Sequence, residues 1–119
     1  MDNISKGKKG EDICCKYLAE QGCEILARNF RSPYGEIDAI AKCGDTIMFV
    51  EVKARTGNKF GSPAMAVDRK KQKKIIQTAY FFITESGILD MNYSFDVCEV
   101  FLKNASVNYI SNAFCASAR

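Results

Sequence analysis

The sequence predicts a single α/β domain spanning residues 1–119, built as a central mixed sheet with flanking helices. Three observations predict it. Two segments repeat apolar residues at helical spacing, and five shorter apolar segments have the length of strands. The second and third short segments are joined by a tight turn, which makes a hairpin. A long helical segment separates the third from the fourth, which makes a crossover. The order α-β-β-β-α-β-β therefore implies a meander, a crossover and helices packed on a mixed sheet.

Each element has its own signal. Ser5 is a suitable cap for a first helix running to about Gln21, with Gly22 at its end, and Ile13, Cys14, Tyr17 and Leu18 form its apolar stripe. Residues 23–30 (CEILARNF) read as a strand and 31–35 (RSPYG) as a turn or loop. Strand segments follow at about 35–42 and 46–54, then a loop, RTGNKFGSP, at 55–63. The second helix is expected to start near Asp68, a good N-cap, and to end at about Glu85 before Gly87. Gln72, Ile76, Ala79, Tyr80 and Ile83 are its expected inward stripe, with Phe82 at the margin and Phe81 pointing away. NYSFDVCEVFL is the fourth strand, KNAS a turn and VNYI a short last strand, with a helical turn expected from Ser111.

Composition narrows the chemistry. With 47% hydrophobic and 26% charged residues the chain is an ordinary globular sequence. No apolar run approaches the ~20 residues of a membrane span, and MDNISKGKKGEDI lacks the apolar segment of a signal peptide, so a soluble cytoplasmic protein is expected. The six cysteines contain no CxxC and are expected to be reduced, buried thiols. There is no histidine, which removes Ser-His-Asp and Cys-His catalysis and the usual His-containing zinc sites. Carboxylates, lysine or a bound metal remain. The net charge of +3 decides little, but basic residues gather in SKGKK, at Arg28 and Arg31, and in DRKKQKK. That patchiness suits a polyanionic partner and equally a solvated surface.

The hairpin carries the sharpest signal. If Gly44-Asp45 forms its two-residue loop, Cys43 faces Thr46, Asp38 faces Glu51 and Glu36 faces Lys53. All four charges then share one face with Ile40, Ile47 and Phe49, while Ile37, Ala39, Ala41, Met48, Val50 and Val52 occupy the other. Facing side chains approach to about 4.5–5.5 Å between Cβ atoms, so Asp38 and Glu51 repel unless something intervenes. A proton on one acid, a bridge from Lys53, or a divalent cation relieves the repulsion. A plain salt-bridge cluster at a solvated strand end accounts for the same residues.

Asp38 followed by Glu51-Val52-Lys53 on the next strand resembles the D…(D/E)xK site of the restriction-endonuclease-like, or PD-(D/E)xK, superfamily. Glu11 on the preceding helix adds to the likeness, as does the layout shared with archaeal Holliday junction resolvases. The closer resemblance is to the YraN-like family of small bacterial proteins. It is carried by GEDICCKYLAEQG, ARNFRSPYGEIDAIA, TIMFVEVKAR, AVDRKKQKKI, SFDV and the final NAF. Cys14 stands where that family usually has alanine, and Ile37 stands where the superfamily motif has proline.

The resemblance implies a restriction-endonuclease-like α-β-β-β-α-β core and a Mg²⁺- or Mn²⁺-dependent endonuclease acting on DNA, branched DNA included. The alternative is a nucleic-acid-binding module that keeps the fold without hydrolysis. It also implies roles. Asp38 and Glu51, with the Val52 carbonyl, hold the metal; Lys53 orients the attacking water or offsets phosphate charge; Glu11 completes the site. Glu36 tethers Lys53 or joins the metal's outer sphere. DNA ranks ahead of RNA as partner, no membrane is expected, and a homodimer is left open because many relatives of this fold cut two strands as dimers.

Further residues suggest nucleic-acid contacts. Arg69, Lys70, Lys71, Lys73 and Lys74 crowd the start of the second helix, where a bound phosphate would suit the helix dipole; an exposed basic face is the plain alternative. Arg28 and Arg31 either grip a backbone phosphate or pair with Asp96, which is expected to be structural. Tyr34, beside the proposed site, is the candidate for base stacking.

Overall fold

The computed structural model describes residues 3–57 and 67–116. Two helices and five strands follow the expected order: α1 (Asn3–Glu20), β1 (Glu24–Ser32), β2 (Gly35–Cys43), β3 (Thr46–Arg55), α2 (Arg69–Ser86), β4 (Asn92–Phe101) and β5 (Ser106–Phe114). The strands form one sheet in sequence order, β1-β2-β3-β4-β5. Only β3 and β4 run parallel, because the crossover through α2 returns the chain to the same end of the sheet; the other neighbours are antiparallel. Most of the loop expected at 55–63 lies outside the described residues.

The turns behave as their residues dictate. Gly44 takes a left-handed φ of 61° and Cys43 pairs with Thr46, so the β2–β3 hairpin closes in the expected register. Asp68 caps α2 by accepting the Lys71 amide at 2.8 Å. Gly87, at φ 67°, ends the helix with its amide donating to the Ile83 carbonyl.

Each helix covers one face of the sheet. Cys14, Cys15 and Leu18 of α1 pack with Ala39, Ala41, Val50, Cys98 and Val100. Ile75, Ala79 and Phe82 of α2 pack with Ile40, Phe49, Phe95 and Val97. Neighbours such as Phe49/Val50 and Val97/Cys98 fall in opposite clusters, as strand alternation requires. Both faces of the central strands are thus apolar, each fully buried side chain contributing roughly 1.5–3 kcal/mol. Gly10 lets α1 lie against β3, since a Cβ there would sit 3.1 Å from that of Ala54. Among the described residues no helix is long and apolar enough to cross a membrane.

The structure corrects several expectations. The first helix begins at Asn3, ahead of Ser5. The buried row of α2 is Ile75, Thr78, Ala79 and Phe82, while Tyr80 is 58% exposed. Apolar residues ring this helix between positions 75 and 83, so spacing alone does not single out the inward row. Thr78 joins that row because its hydroxyl donates to the Lys74 carbonyl at 2.8 Å and lies 3.0 Å from the Ser32 hydroxyl. Phe82 sits in the core against Phe30 and Phe49, and Phe30 also lies beside Phe81.

β1 runs through Arg31 and Ser32, which pair with Glu36 and Gly35, so the expected five-residue loop shrinks to Pro33-Tyr34. The last strand continues to Phe114 instead of ending in a helical turn, because Phe114 stacks on Phe95 with centroids 5.2 Å apart. Cys14, Cys15, Cys23 and Cys98 are buried thiols outside any disulfide, as expected, whereas Cys43 is half-buried and Cys115 exposed.

Candidate functional site

The site begins where the β2–β3 ladder stops. Pairing runs from Cys43–Thr46 to Ala39–Val50, and Asp38 and Glu51 lie one step beyond. There the Val52 amide donates to an Asp38 carboxylate oxygen at 2.8 Å, so a side chain replaces the carbonyl that a continuing ladder would supply. Alternation also breaks at this point. Ile37 and Ile40 pack in the same cluster, which corrects the expectation that they occupy opposite faces. Asn29, between the β1 residues that pair with Ala39 and Ile37, takes a left-handed φ of 51°. The kink turns the Asp38 carboxylate toward β3.

Asp38 is held in an awkward state. Burial, and then the negative charge of Glu51, push its carboxyl up to about 7, and the hydrogen bond from Val52 offsets only part of this. Glu51 is itself buried, and accepts a hydrogen bond from the Lys71 ammonium at 2.9 Å. A bridge from Lys53 was one of the expected ways to relieve the pair. Lys71 takes that place because α2 lies over this face and its first turns project onto the strand ends.

Lys53 is left without an ion pair among the described residues, and the reason is visible around it. Glu51 is taken by Lys71, Glu36 by Arg31 at 3.4 Å, and Glu99, its neighbour in the parallel register, by Arg55 at 3.2 Å. Glu36 therefore does not tether Lys53. Burial, and then the nearby Lys71 charge, lower the Lys53 pKa.

Gly35, Glu36, Asp38, Glu51, Lys71 and Lys74 border a cleft of about 180 Å³. Glu11 stands on the α1 side of the sheet, accepting from the Asn29 side chain at 3.0 Å, and its charge adds to the upward push on Asp38. Asn29 thus links Glu11 to the kink opposite Asp38.

A family model described as "Uncharacterised protein family UPF0102" matches residues 10–100. The chain belongs to the UPF0102 family. It is 46% identical over 114 residues to a UPF0102 protein of Clostridioides difficile, covering 96% of this chain and 100% of that one. It is 43% identical to one from Sulfurihydrogenibium sp., covering 96% and 97%, and 42% identical to one from Caldicellulosiruptor saccharolyticus, covering 96% and 100%. The UPF0102 match starts at Gly10, where α1 meets β3, and so contains Glu11 and every residue of the cleft.

The donors of this UPF0102 cleft suit a hard divalent cation. Asp38 and Glu51 bring two carboxylates to it, and Mg²⁺ is typically held by one or two carboxylates completed with water and phosphate. Of the two converging acids Glu51 is answered by Lys71, while Asp38, with its raised pKa, has no ion-pair partner among the described residues. No group of three or more His, Cys, Asp or Glu converges among the described residues, so a closed zinc site does not fit.

The remaining predicted residues of this UPF0102 chain are spread around the cleft. Arg31 has an 80% exposed side chain and Tyr34 is 50% exposed, both at the β1–β2 end. Lys70 and Lys74 are exposed on α2. Arg28 lies on the other face, bound to Asp12 of α1 at 2.6 Å and 3.9 Å from Glu11. Neither arginine pairs with Asp96; the carboxylate accepts from the Tyr109 and Ser94 hydroxyls and the Asn112 amide instead. The α2 N-terminus already holds an anion of its own, the Asp68 cap.

Sequence reasoning misses two residues and places a third differently. Lys71 belongs by sequence to the basic run and in the structure pairs with Glu51. Asn29 is a left-handed residue inside a strand, and asparagine tolerates that conformation. Glu99 was the readable signal, an acid within the apolar run DVCEVF; it is fully buried and also accepts from the Asn108 amide at 3.3 Å.

Proposed function

We propose that this UPF0102 chain binds nucleic acid and hydrolyses its phosphodiester bonds with Mg²⁺ or Mn²⁺, acting on DNA, branched DNA included. The observation that carries the reading is the Asp38–Glu51 pair just past the end of the hairpin ladder, where Lys71 answers Glu51 and no cation pairs with Asp38 among the described residues. Asp38, Glu51 and the Val52 carbonyl are the metal's ligands. A bound divalent ion supplies a water of lowered pKa and polarises the phosphate. Lys53, held among acids that other cations occupy, orients that water or offsets charge on the phosphate. Lys71 and Lys74 at the cleft rim draw the backbone in. Glu11 acts from the α1 side through Asn29.

The test is a cleavage panel of linear, flapped and four-way DNA with each metal. Cleavage that Asp38→Ala and Lys53→Ala each reduce by about a hundredfold or more supports the reading. Absence of cleavage across the panel counts against it.

The Lys71–Glu51 ion pair favours a second reading, a module that binds without hydrolysis, because a lysine already answers one of the two acids. That reading expects salt-sensitive binding, no metal requirement and no effect of Asp38→Ala. Under the first reading Lys71 and the metal compete for Glu51. Lys71→Met is then expected to tighten Mn²⁺ binding by about two- to tenfold at pH 8, measured by calorimetry, in keeping with an ion pair exposed on one side. Unchanged or weaker binding would show that Lys71 and the metal do not compete for Glu51.

A further inference from the structure

Tyr80 stands out once α2 is seen in place. It is 58% exposed, on the side of the helix away from the buried row Ile75, Thr78, Ala79 and Phe82. Two concavities meet at it. One, of about 540 Å³, is bordered by Arg69, Lys73, Ile76 and Tyr80 of α2 and by Ala116. The other, of about 400 Å³, is bordered by Tyr34, Tyr80, Phe81 and Glu85, among others. Both volumes lie in the ~300–1,000 Å³ range of sites that take small ligands. Gln77 and Tyr80 border both, so the two adjoin at these side chains.

The second concavity lies beside the cleft. Tyr34 is 50% exposed at one wall, and the next residue, Gly35, borders the carboxylate cleft. The rings of Tyr34, Tyr80 and Phe81 border the second groove and the cations Arg69 and Lys73 the first, with Glu85 the one acid among the described residues bordering the two. Paired bases hide their faces within the helix stack; only unpaired bases offer them to a tyrosine. Cations that follow the backbone while rings take the bases are the features of a single-strand site.

We propose that the outer face of α2 is a track for an unpaired nucleic-acid strand, with Tyr34 and Tyr80 as its base-stacking surfaces and Arg69 and Lys73 as backbone contacts. The proposal rests on the nucleic-acid reading above and adds the substrate class: strands with a single-stranded segment beside the scissile bond. It does not depend on hydrolysis.

The experiment is fluorescence anisotropy with labelled oligodeoxynucleotides in EDTA, comparing a short single strand, a blunt duplex and a single strand of abasic sugar-phosphate. Tyr34→Ala and Tyr80→Ala are each expected to weaken single-strand binding about tenfold or more, while Tyr80→Phe, which keeps the ring, stays near the parent. Duplex binding should stay within about twofold in all variants, which also reports that they are folded. The abasic strand should bind the parent no better than the ordinary strand binds the alanine variants. Equal losses on single strand and duplex, or no loss on the single strand, overturn the track while leaving the nucleic-acid reading standing. A parent that binds none of the three at low salt overturns both.

Discussion

Asp38→Asn is expected to make the metal-free protein more stable at pH 8, by on the order of 2–4 kcal/mol. The sign follows from the direction of the shift. Burial and the Glu51 charge raise the folded carboxyl from 3.8 to about 7, so the folded state binds the proton more tightly than the unfolded chain does. The contribution of Asp38 to stability is then greatest below pH 4, falls as pH rises from about 4 to 7, and is level above that. The asparagine amide is neutral throughout, and its oxygen still accepts the Val52 amide. The gap between variant and parent should therefore shrink from pH 8 to pH 5 and close near pH 4.

Divalent metal adds a second arm to the same measurement. Mg²⁺ or Mn²⁺ should raise the parent's melting temperature at pH 8, where the pair is ionised, and much less at pH 5, with little effect on the variant. Thermal melts at three pH values, with and without metal, test both arms. A parent indifferent to metal at pH 8 would sink the cation-site reading. A variant no more stable than the parent would sink the account of Asp38.

Glu99→Ala is expected to destabilise the protein by about 3 kcal/mol, lowering the melting temperature by roughly 10–15 °C. The Glu99 side chain is fully buried, and its loss strands Arg55, whose side chain is only 23% exposed, and the Asn108 amide. One Arg55 nitrogen, Nη2, is already buried without a hydrogen-bond partner among the described residues, so the guanidinium has nowhere else to turn. The residual exposure keeps the cost at the lower end for a broken buried pair. Replacing both partners by apolar residues, Arg55→Met with Glu99→Leu, should recover most of the loss, because no buried charge is then left alone. A single variant within about 1 kcal/mol of the parent would show that Arg55 reaches water when its partner goes. The pair has a functional side as well. By engaging Glu99, Arg55 leaves Lys53 clear of its strand neighbour.

Much of this was readable along the chain. Gly44-Asp45 set the hairpin register by local turn chemistry, and the structure keeps that register for every pair up to Ala39–Val50. Asp68 and Gly87 marked the ends of α2 through caps that act within one turn. The charges at 36, 38, 51 and 53 were visible as intrusions in apolar strands. What was not readable was which cation meets which acid. The register argument assumed a ladder continuing to Glu36 and Lys53, but the strands part at Asp38 and the pairing expected there is absent. The inward row of α2 also escaped, since Ile76, Tyr80 and Phe81 are as apolar in sequence as Ile75 and Phe82.

By itself, the sequence determined the element order, the hairpin turn, the caps of α2 and the identity of the acidic pair, because those depend on contacts between residues near one another in the chain. The tertiary structure alone decided that Lys71 answers Glu51, that Arg55 takes Glu99 and that Tyr80 faces outward. Those outcomes depend on how α2 lies across the sheet, and burial of its Ile75, Thr78, Ala79 and Phe82 row sets that orientation. Pairing between distant charges is weak beside the packing that positions their backbones, so it follows the packing.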